Sequence, residues 1–589
     1  MENCETEDNE ELADTLPVRF GKIYALSHEL AKAESETPTS SDMDWKKVLN
    51  DPVMAPEARR AYQKEIISLT ETHKVLLELS PDHPEYETAL KEAISGRAIY
   101  GIKRTGEGKC RCVQHGFKGK AKDLASRPEG FVYTAHVVSH TSVRIAVANH
   151  KRGNMVATLD VSTAFLQSHK FPPDKCKYMK MKDPTNGDKM RYFKQLGPIY
   201  GECSAPMDWE QTIAPYIESL GFVRAKNDTC IFYNKDTNMI VLLYVDDLWM
   251  DAMEPQIDDF VINLRRRFQC KELQKLKPGQ PLDYLGMEVA IDSTDSITIG
   301  MPKYTDKLVV FMGLDSDRRS HSPVDCPYNS FLAQKGETED LSELNRLETK
   351  TYLTALGMIG WLVACYRADV SYTYSMLAQG MSKPTNRDMA MLIWATRYLK
   401  GTRQLAAKSD PESSGPQQWH HFCDSDQGGD TRPENKRRSR SGYITMAGGF
   451  PVQYKSKATS VAMAHRDITE AHSGISSAAC ETFGAANATY DILYVSYCAE
   501  EMGIEFPLPF VLEMDNHAAE VFCNNSTLNS RLRHIDARQH WVKTLRDSNV
   551  VVAKHVDTKL NVADIFTKPL RGPDFRRLRD MFLHDCPSL

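Results

Sequence analysis

Short apolar runs alternate with amphipathic stretches along most of this chain. Runs at 156–161, 230–233, 240–245 and 287–291 read as strands, and helical spacing lies between them, so a mixed α/β architecture follows. Residues 57–79 (EARRAYQKEIISLTETHKVLLEL) carry apolar positions at helical spacing, which predicts one packed helix and a globular region beginning near residue 53. Residues 331–400 read as helices, with Trp361, Tyr366, Tyr372 and Tyr374 as core, closing on YLKGT (398–402). Residues 410–418 (DPESSGPQQ being their sequence) are loop-like, and a further domain is expected to open at Trp419. The first fifty residues lack a sustained apolar period and are rich in Ser, Thr and Glu, so they read as a flexible leader.

Length and composition sharpen this picture. At 589 residues and 41% hydrophobic, the chain is expected to form about three or four domains with several cores. The apolar run at 239–245 (MIVLLYV) is far short of the roughly 18 residues a membrane span needs, so it reads as a buried strand. Seven acids and no base in the first fourteen residues are the opposite of a secretory or mitochondrial signal, and an intracellular protein is expected. The 14 cysteines include one close pair, Cys110 and Cys112, and no CxxC, so neither a zinc ribbon nor a disulfide scaffold is written here.

The formal net charge of −6 argues weakly against a polyanionic partner, but charge is segregated. Residues 1–50 hold 12 acids against 5 bases, whereas 531–580 hold 12 bases against 6 acids. Basic surface is thus concentrated where a polyanion could use it. Arg265, Arg266, Arg267 and the lysines from Lys271 to Lys277 form a further cationic stretch, which on a helix is either a binding face or simply solvated surface.

Tyr244-Val245-Asp246-Asp247 follows an apolar strand directly. Two adjacent carboxylates there repel each other and cost desolvation energy, and a bound divalent cation would relieve both. A tight turn would present Asp246 at its apex, and Asp160, ending another apolar strand, could meet the pair. Three carboxylates from two strands suit two Mg²⁺ ions, with Mn²⁺ a possible substitute, in an in-line phosphoryl displacement. A lone DD pair is usually only a turn; its context decides.

That context is a series of motifs in order: KCRCVQHGF (109–117), TLDVSTAFL (158–166), IYGECSAPMDWE (199–210), GFVRAKNDTCIFY (221–233), LLYVDD (242–247), DYLGMEV (283–289) and YLKGT (398–402). Over roughly 55–405 the chain resembles the reverse transcriptase of copia-type LTR retrotransposons. Downstream, Asp424 in FCDSDQGGD, Glu481 in SSAACETFGAA, Asp515 in LEMDNHAA and Asp564 in NVADIFTKPL lie on separate predicted elements, beside RSRSGY (438–443) and RLRHIDARQHWV (531–542). Each acid alone is an ordinary surface acid or cap. Together, over roughly 419–572, they resemble the RNase H domain of the same elements, with Asp426 an alternative to Asp424 if the register slips.

The resemblance implies a right-hand polymerase with a C-terminal mixed-sheet domain: an acidic leader at 1–52, fingers and palm at 53–255, a thumb-like region at 256–330, a connection at 331–415, an RNase H-like domain at 416–572 and a tail at 573–589. It implies an RNA-directed DNA polymerase with fused ribonuclease H, from a Pol polyprotein, acting on RNA template, DNA primer, RNA–DNA hybrid and deoxynucleoside triphosphates, in a cytoplasmic virus-like particle or the nucleus. Asp160, Asp246 and Asp247 would hold metal in the polymerase, and Asp424, Glu481, Asp515 and Asp564 in the nuclease. Lys109 and Arg111 would hold the triphosphate, and Phe165 would stack beneath the sugar. Arg432, Lys436, Arg437, Arg438 and Arg440, with Arg531, Arg533 and Arg538, would track the template-primer backbone.

Two departures from the family pattern stand out. Cys203 occupies a place where a Lys is usual, and SAACETF replaces STEAEY around Glu481. His465, His472 and His517 have no ligand spacing, so they read as exposed or locally hydrogen-bonded. The competing class is a nucleic-acid-binding relic that keeps the fold without turnover; retention of all seven acids favours the enzyme.

Overall fold

The computed structural model describes residues 43–102, 106–116, 135–316, 320, 322–324, 340–413, 415–429, 438–459, 477–525, 537–570 and 572–586. Helix α1 (Ala55–Ile67) is followed along the chain by strands β1 (Leu76–Glu78), β2 (Ile94–Ile102), β3 (Gly108–Gln114), β4 (Met155–Asp160), β5 (Lys177–Asp183) and β6 (Lys189–Gln195). All but β4 form the fingers sheet, in the order β1-β6-β5-β2-β3. Strand β3 is an edge, and α1 covers it: Glu57 accepts the Gly108 N–H at 2.6 Å and Glu65 that of Cys112 at 3.0 Å. These carboxylates satisfy backbone donors that an edge strand would otherwise leave open.

Two expectations fail here. The helix predicted over 57–79 ends at Ile67, continues as one wider turn, and gives way to β1, which pairs with β6. The leader expected to reach residue 52 yields by Met43, which pairs with Tyr100, and a short helix, Trp45–Asn50, packs on the fingers. Trp45 donates to the Ala98 carbonyl at 3.0 Å and sits against Tyr62 and Tyr100. A single anchored aromatic is invisible to a compositional argument.

The palm sheet takes β4 together with β7 (Val223–Arg224), β8 (Ile231–Asn234), β9 (Met239–Tyr244), β10 (Asp247–Ala252) and β11 (Gln274–Lys275), in the order β11-β4-β10-β9-β8-β7. Helices α2 (His140–Ala148), α3 (Ala205–Ser219) and α4 (Glu254–Arg267) accompany it. Trp209, Ile213 and Ile217 recur every four residues along one face of α3 and are buried in the same core as Leu242 and Trp249 of the sheet. Because α4 and β11 belong to the palm, the thumb-like region cannot begin at 256. The apolar face of α4 (Ile257, Phe260, Val261, Leu264) explains why: it is buried in the palm core.

A third sheet follows: β12 (Leu282–Tyr284), β13 (Met287–Ile291), β14 (Ile297–Gly300), β15 (Leu405–Lys408), then a strand at His584–Asp585. Helices α5 (Arg346–Cys365), α6 (Ser371–Gln379) and α7 (Asn386–Gly401) pack beside it. Of the expected aromatics, Tyr366 and Tyr372 are buried and Trp361 and Tyr374 half-buried.

The last sheet opens with a strand at Trp419 and comprises β16 (Trp419–Ser425), β17 (Arg440–Ala447), β18 (Phe450–Ala458), β19 (Phe510–Met514) and β20 (Val551–His555). Their order is β18-β17-β16-β19-β20; β17 is antiparallel to both β18 and β16, and β19 and β20 run parallel to β16. Helices α8 (Ser477–Glu501), α9 (His517–Asn524), α10 (Ala537–Asp547), α11 (Asp564–Thr567) and α12 (Gly572–Arg579) complete this mixed-sheet domain. The expected tail at 573–589 is structural instead: Phe575 and Leu578 of α12 are buried, Phe575 lies 5.6 Å from the Tyr398 ring, and His584–Asp585 pairs with β15. The domain is docked on the palm through Arg144 of α2, which donates to the Val452 carbonyl of β18 at 2.7 Å and to the Cys365 carbonyl of α5 at 3.2 Å. No helix among the described residues is long and apolar enough to cross a membrane.

Candidate active sites

The first site is built by the β9–β10 hairpin. Tyr244 pairs with Asp247, which leaves Val245-Asp246 as a two-residue turn. Val245 takes φ +57°, costly for a β-branched residue, and its carbonyl accepts the Trp209 indole N–H at 2.6 Å. A buried tryptophan on α3 therefore holds the turn that carries Asp246. Strand β4 lies on the other side of β10, and Asp160 is the register partner of Asp247. The three predicted acids thus meet at one sheet edge.

Their electrostatics show the cost of this meeting. Burial, then the charges of Asp246 and Asp160, pushes the Asp247 carboxyl up to about 6. Asp246 is also raised, first by burial and then by Asp160, against the pull of Lys271 and Arg111. Lys271 itself sits 2.5 Å from Asp160 and reaches there because its N–H pairs with the Asp160 carbonyl at 2.8 Å. The sequence placed Lys271 only in a cationic cluster; no local signal ties it to a residue 111 positions away.

The fingers face this edge. Lys109 and Arg111 alternate on β3 and, with Ile99, Gly101, Val113 and Tyr200, line a cleft of about 470 Å³. Arg111 lies over the Tyr200 ring at 4.9 Å. Phe165 follows β4 in a short 3₁₀ turn, half-buried, 5.7 Å from the same ring. The Tyr200 hydroxyl is pushed up to about 12, chiefly by burial, and it feels Arg111, Asp246 and Asp160 together. One tyrosine therefore joins the cationic cleft, the sugar-gate candidate and the carboxylates.

The second site lies at the C-terminal ends of parallel β16 and β19, where Asp424 and Asp515 emerge on one edge. Glu481, on α8, completes a trio whose ligand atoms all lie within 4.8 Å of one another. Helix α8 comes this close because residue 484 is glycine: a Cβ there would stand 2.9 Å from Ser425 Oγ and 3.2 Å from the Asp424 carbonyl oxygen. Gly442 of RSRSGY does the same for α11, since its Cβ would stand 2.5 Å from Phe566 Cβ. Asp564 is the first residue of α11.

Asp424 is 1% exposed and Glu481 5%. Burial, reinforced by Asp424 and Asp515, pushes Glu481 up to about 10, and its Oε2 is buried without a hydrogen-bond partner. Burial and Asp424 push Asp564 up to about 7. Asp424 is raised by burial, opposed by Lys568. Lys568 stands 2.7 Å from Asp564 and 3.3 Å from Asp424, and the Thr567 hydroxyl donates to the other Asp424 oxygen. These two residues were passed over although they stand in the quoted motif; a Lys four residues after Asp564 on a helical turn is the signal that could have found it.

Asp426 does not replace Asp424: its carboxylate accepts the Gly429 N–H at 2.7 Å and that of Arg440, so it ties down the loop. His517 is exposed and bonded to Glu520 at 2.8 Å, as predicted. Arg440 is buried, donating to Ser375 at 2.6 Å and lying over Tyr372, so it is an interdomain tie and not a backbone tracker; Arg438 is exposed. Arg432, Lys436, Arg437, Arg531, Arg533, His465 and His472 lie outside the described residues, as does the Arg538 side chain.

Two sheets with carboxylates at a hairpin turn of one and a cationic cleft on the other form a site of the polymerase class. Residues 89–325 match the family described as reverse transcriptase (RNA-dependent DNA polymerase). The chain as a whole is a relative of the Pol polyproteins of copia-type transposons. It is 23% identical over 509 residues to the Retrovirus-related Pol polyprotein from transposon TNT 1-94 of Nicotiana tabacum, covering 83% of this chain and 36% of that protein. It is 26% identical over 576 residues to that from transposon RE1 of Arabidopsis thaliana, covering 94% and 35%. The chain therefore spans about a third of the length of these relatives. A solved foamy viral protease-reverse transcriptase in complex with double-stranded DNA shares 11% identity at a TM-score of 0.48, over 85% of this chain and 70% of that one, a likeness too distant to carry an argument.

Proposed function

We propose that this chain copies RNA into DNA at the Asp160–Asp246–Asp247 edge and degrades the RNA of the resulting hybrid at the Asp424–Glu481–Asp515–Asp564 edge, at an intracellular site. The observation that carries the reading is the register of β4 against β10, which brings Asp160 opposite Asp247 beside the hairpin turn, facing the cationic cleft of the fingers.

Both donor sets fit divalent cations. The first offers only carboxylate oxygens that repel one another, and the second leaves Glu481 Oε2 buried and unpaired. Hard oxygen ligands favour Mg²⁺ or Mn²⁺. Bound at such sites, these ions activate an attacking hydroxyl or water and stabilise the leaving oxygen.

The chain's own residues do the rest. Lys109 and Arg111 pair with triphosphate oxygens, Arg111 being braced on Tyr200. Phe165 sets the floor on which the sugar rests. Lys271, an ammonium beside Asp160, is within reach of the same edge and can give a proton to a departing phosphate. Primer extension on an RNA template with Mg²⁺ tests the reading: templated DNA products support it, whereas hybrid binding without extension across metals and templates would leave a non-catalytic binding protein.

A further inference from the structure

Lys568 has no part in the reaction just described, yet it stands among the acids. It lies just past α11, and its ammonium joins Asp564 at 2.7 Å to Asp424 at 3.3 Å, while the Thr567 hydroxyl holds the other Asp424 oxygen. Its side chain is only 36% exposed. The four acids are therefore divided. Asp424, Glu481 and Asp515 converge within 4.8 Å, with Glu481 Oε2 unpartnered, whereas Asp564 is tied to Asp424 through a lysine.

An ammonium and a divalent ion compete for one pair of carboxylates. Their charges repel, and each N–H···O bond takes up one of the lone-pair sites open to a metal ion. Resting on the ribonuclease reading, we propose that Lys568 is a positioning residue, a built-in counter-ion that holds Asp424 and Asp564 together and must be displaced by the cation those two acids bind. The Asp424–Glu481–Asp515 side fills with metal without moving it. The Asp424–Asp564 side fills only at a metal concentration high enough to break the two lysine contacts. Hybrid cleavage is then gated by metal concentration, while DNA synthesis at the distant palm edge is not gated by this residue.

Lys568→Met and Lys568→Arg, made in the full chain, test this through Mg²⁺ binding by calorimetry and hybrid cleavage across a Mg²⁺ series, with primer extension reporting that the fold is intact. Removing the competing charge in Lys568→Met should lower the half-saturating Mg²⁺ of the weaker site by about tenfold. It should also make cleavage faster than wild type at low Mg²⁺, a gain that a merely structural lysine would not give. Lys568→Arg keeps the charge and should keep the wild-type Mg²⁺ profile. An unchanged half-saturation in Lys568→Met, or cleavage lost at every Mg²⁺ concentration in a chain that still extends primers, would overturn the counter-ion role. Altered Mg²⁺ binding in Lys568→Met without any hybrid cleavage by the wild type would sink the ribonuclease reading and spare the counter-ion. Mg²⁺ binding that Asp515→Asn does not alter in any form would sink both.

Discussion

The two carboxylate edges solve one electrostatic problem at different depths. In the palm, three acids sit half-buried on a hairpin and its neighbouring strand, and Lys271, itself 63% exposed, reaches one of them from outside. In the C-terminal domain, Asp424, Glu481 and Asp564 are buried, and their counter-charge, Lys568, is fixed by the same short helical turn as Asp564. A shallow site tolerates its repulsion through water and an exposed lysine. A deep one needs a resident cation or protons: stronger burial pushes Glu481 up to about 10, while Asp247 rises only to about 6. On the proposed reading, the shallow palm edge is the one that takes a bulky triphosphate, and the deep edge takes metal and a phosphodiester.

This contrast can be broken at several points. The largest effect is expected from Asp515→Asn, which removes one charge from the deep trio without changing side-chain size. Hybrid cleavage should fall about a thousandfold, in the range of losing a main source of transition-state charge stabilisation, with extension unchanged in a gel assay of both activities. Loss of both activities would mean the edges are not separate.

Phe165→Val comes next. Its ring, 5.7 Å from Tyr200, is expected to fill the space a ribose 2′-hydroxyl needs. A clash of ~2–4 kcal/mol corresponds to tens- to hundreds-fold discrimination, and truncation should return it as ribonucleotide incorporation without matching loss of deoxynucleotide use. Single-nucleotide extension with paired ribo- and deoxynucleotides measures the ratio; an unchanged ratio in an active variant would make Phe165 a packing residue.

Gly442→Ala should act only on the deep site. A Cβ would stand 2.5 Å from Phe566 Cβ and push α11, with Asp564, off β17, at a cost of about 1–3 kcal/mol. Denaturation followed by hybrid cleavage should show the second activity lost at lower urea than in wild type, with extension less affected.

The smallest effect concerns pH. Asp247 and Asp564, held at about 6 and about 7, keep protons in the folded chain that the unfolded chain releases near pH 4. Metal-free stability should therefore fall as pH rises through about 4 to 7, the sign expected for raised acids. Mg²⁺ should raise Tm little at pH 5 and by about 2–4 °C at pH 7.5, read by thermal melts with and without the ion. A Mg²⁺ effect independent of pH would contradict the idea that repulsion among these acids is what the ion relieves.

Much of this was legible in the chain. The strands at 156–161, 230–233, 240–245 and 287–291 were marked by apolar runs, and the YVDD turn by its acids after such a run, because both signals are local. The opening at Trp419 followed a loop-like segment. Long-range pairings were not legible. Nothing local says that His584–Asp585 closes on β15, that Leu76–Glu78 is a strand on β6 and not helix, or that α4 belongs to the palm. The acids were found through motifs, but the lysines that compensate them were not, since side-chain partnership depends on register and on glycines, such as Gly442 and Gly484, whose reason appears only where two elements touch.

On the proposed reading, the hairpin turn carrying Asp246 is the centre of DNA synthesis and works independently of the deeper edge. Asp246→Asn, assayed under single-turnover conditions on one labelled RNA–DNA hybrid for both extension and RNA cleavage, tests it most directly. Extension should fall by about a thousandfold or more with cleavage unchanged; extension retained near the wild-type rate, or cleavage lost along with it in a folded variant, would show that the turn is not a separate synthetic centre.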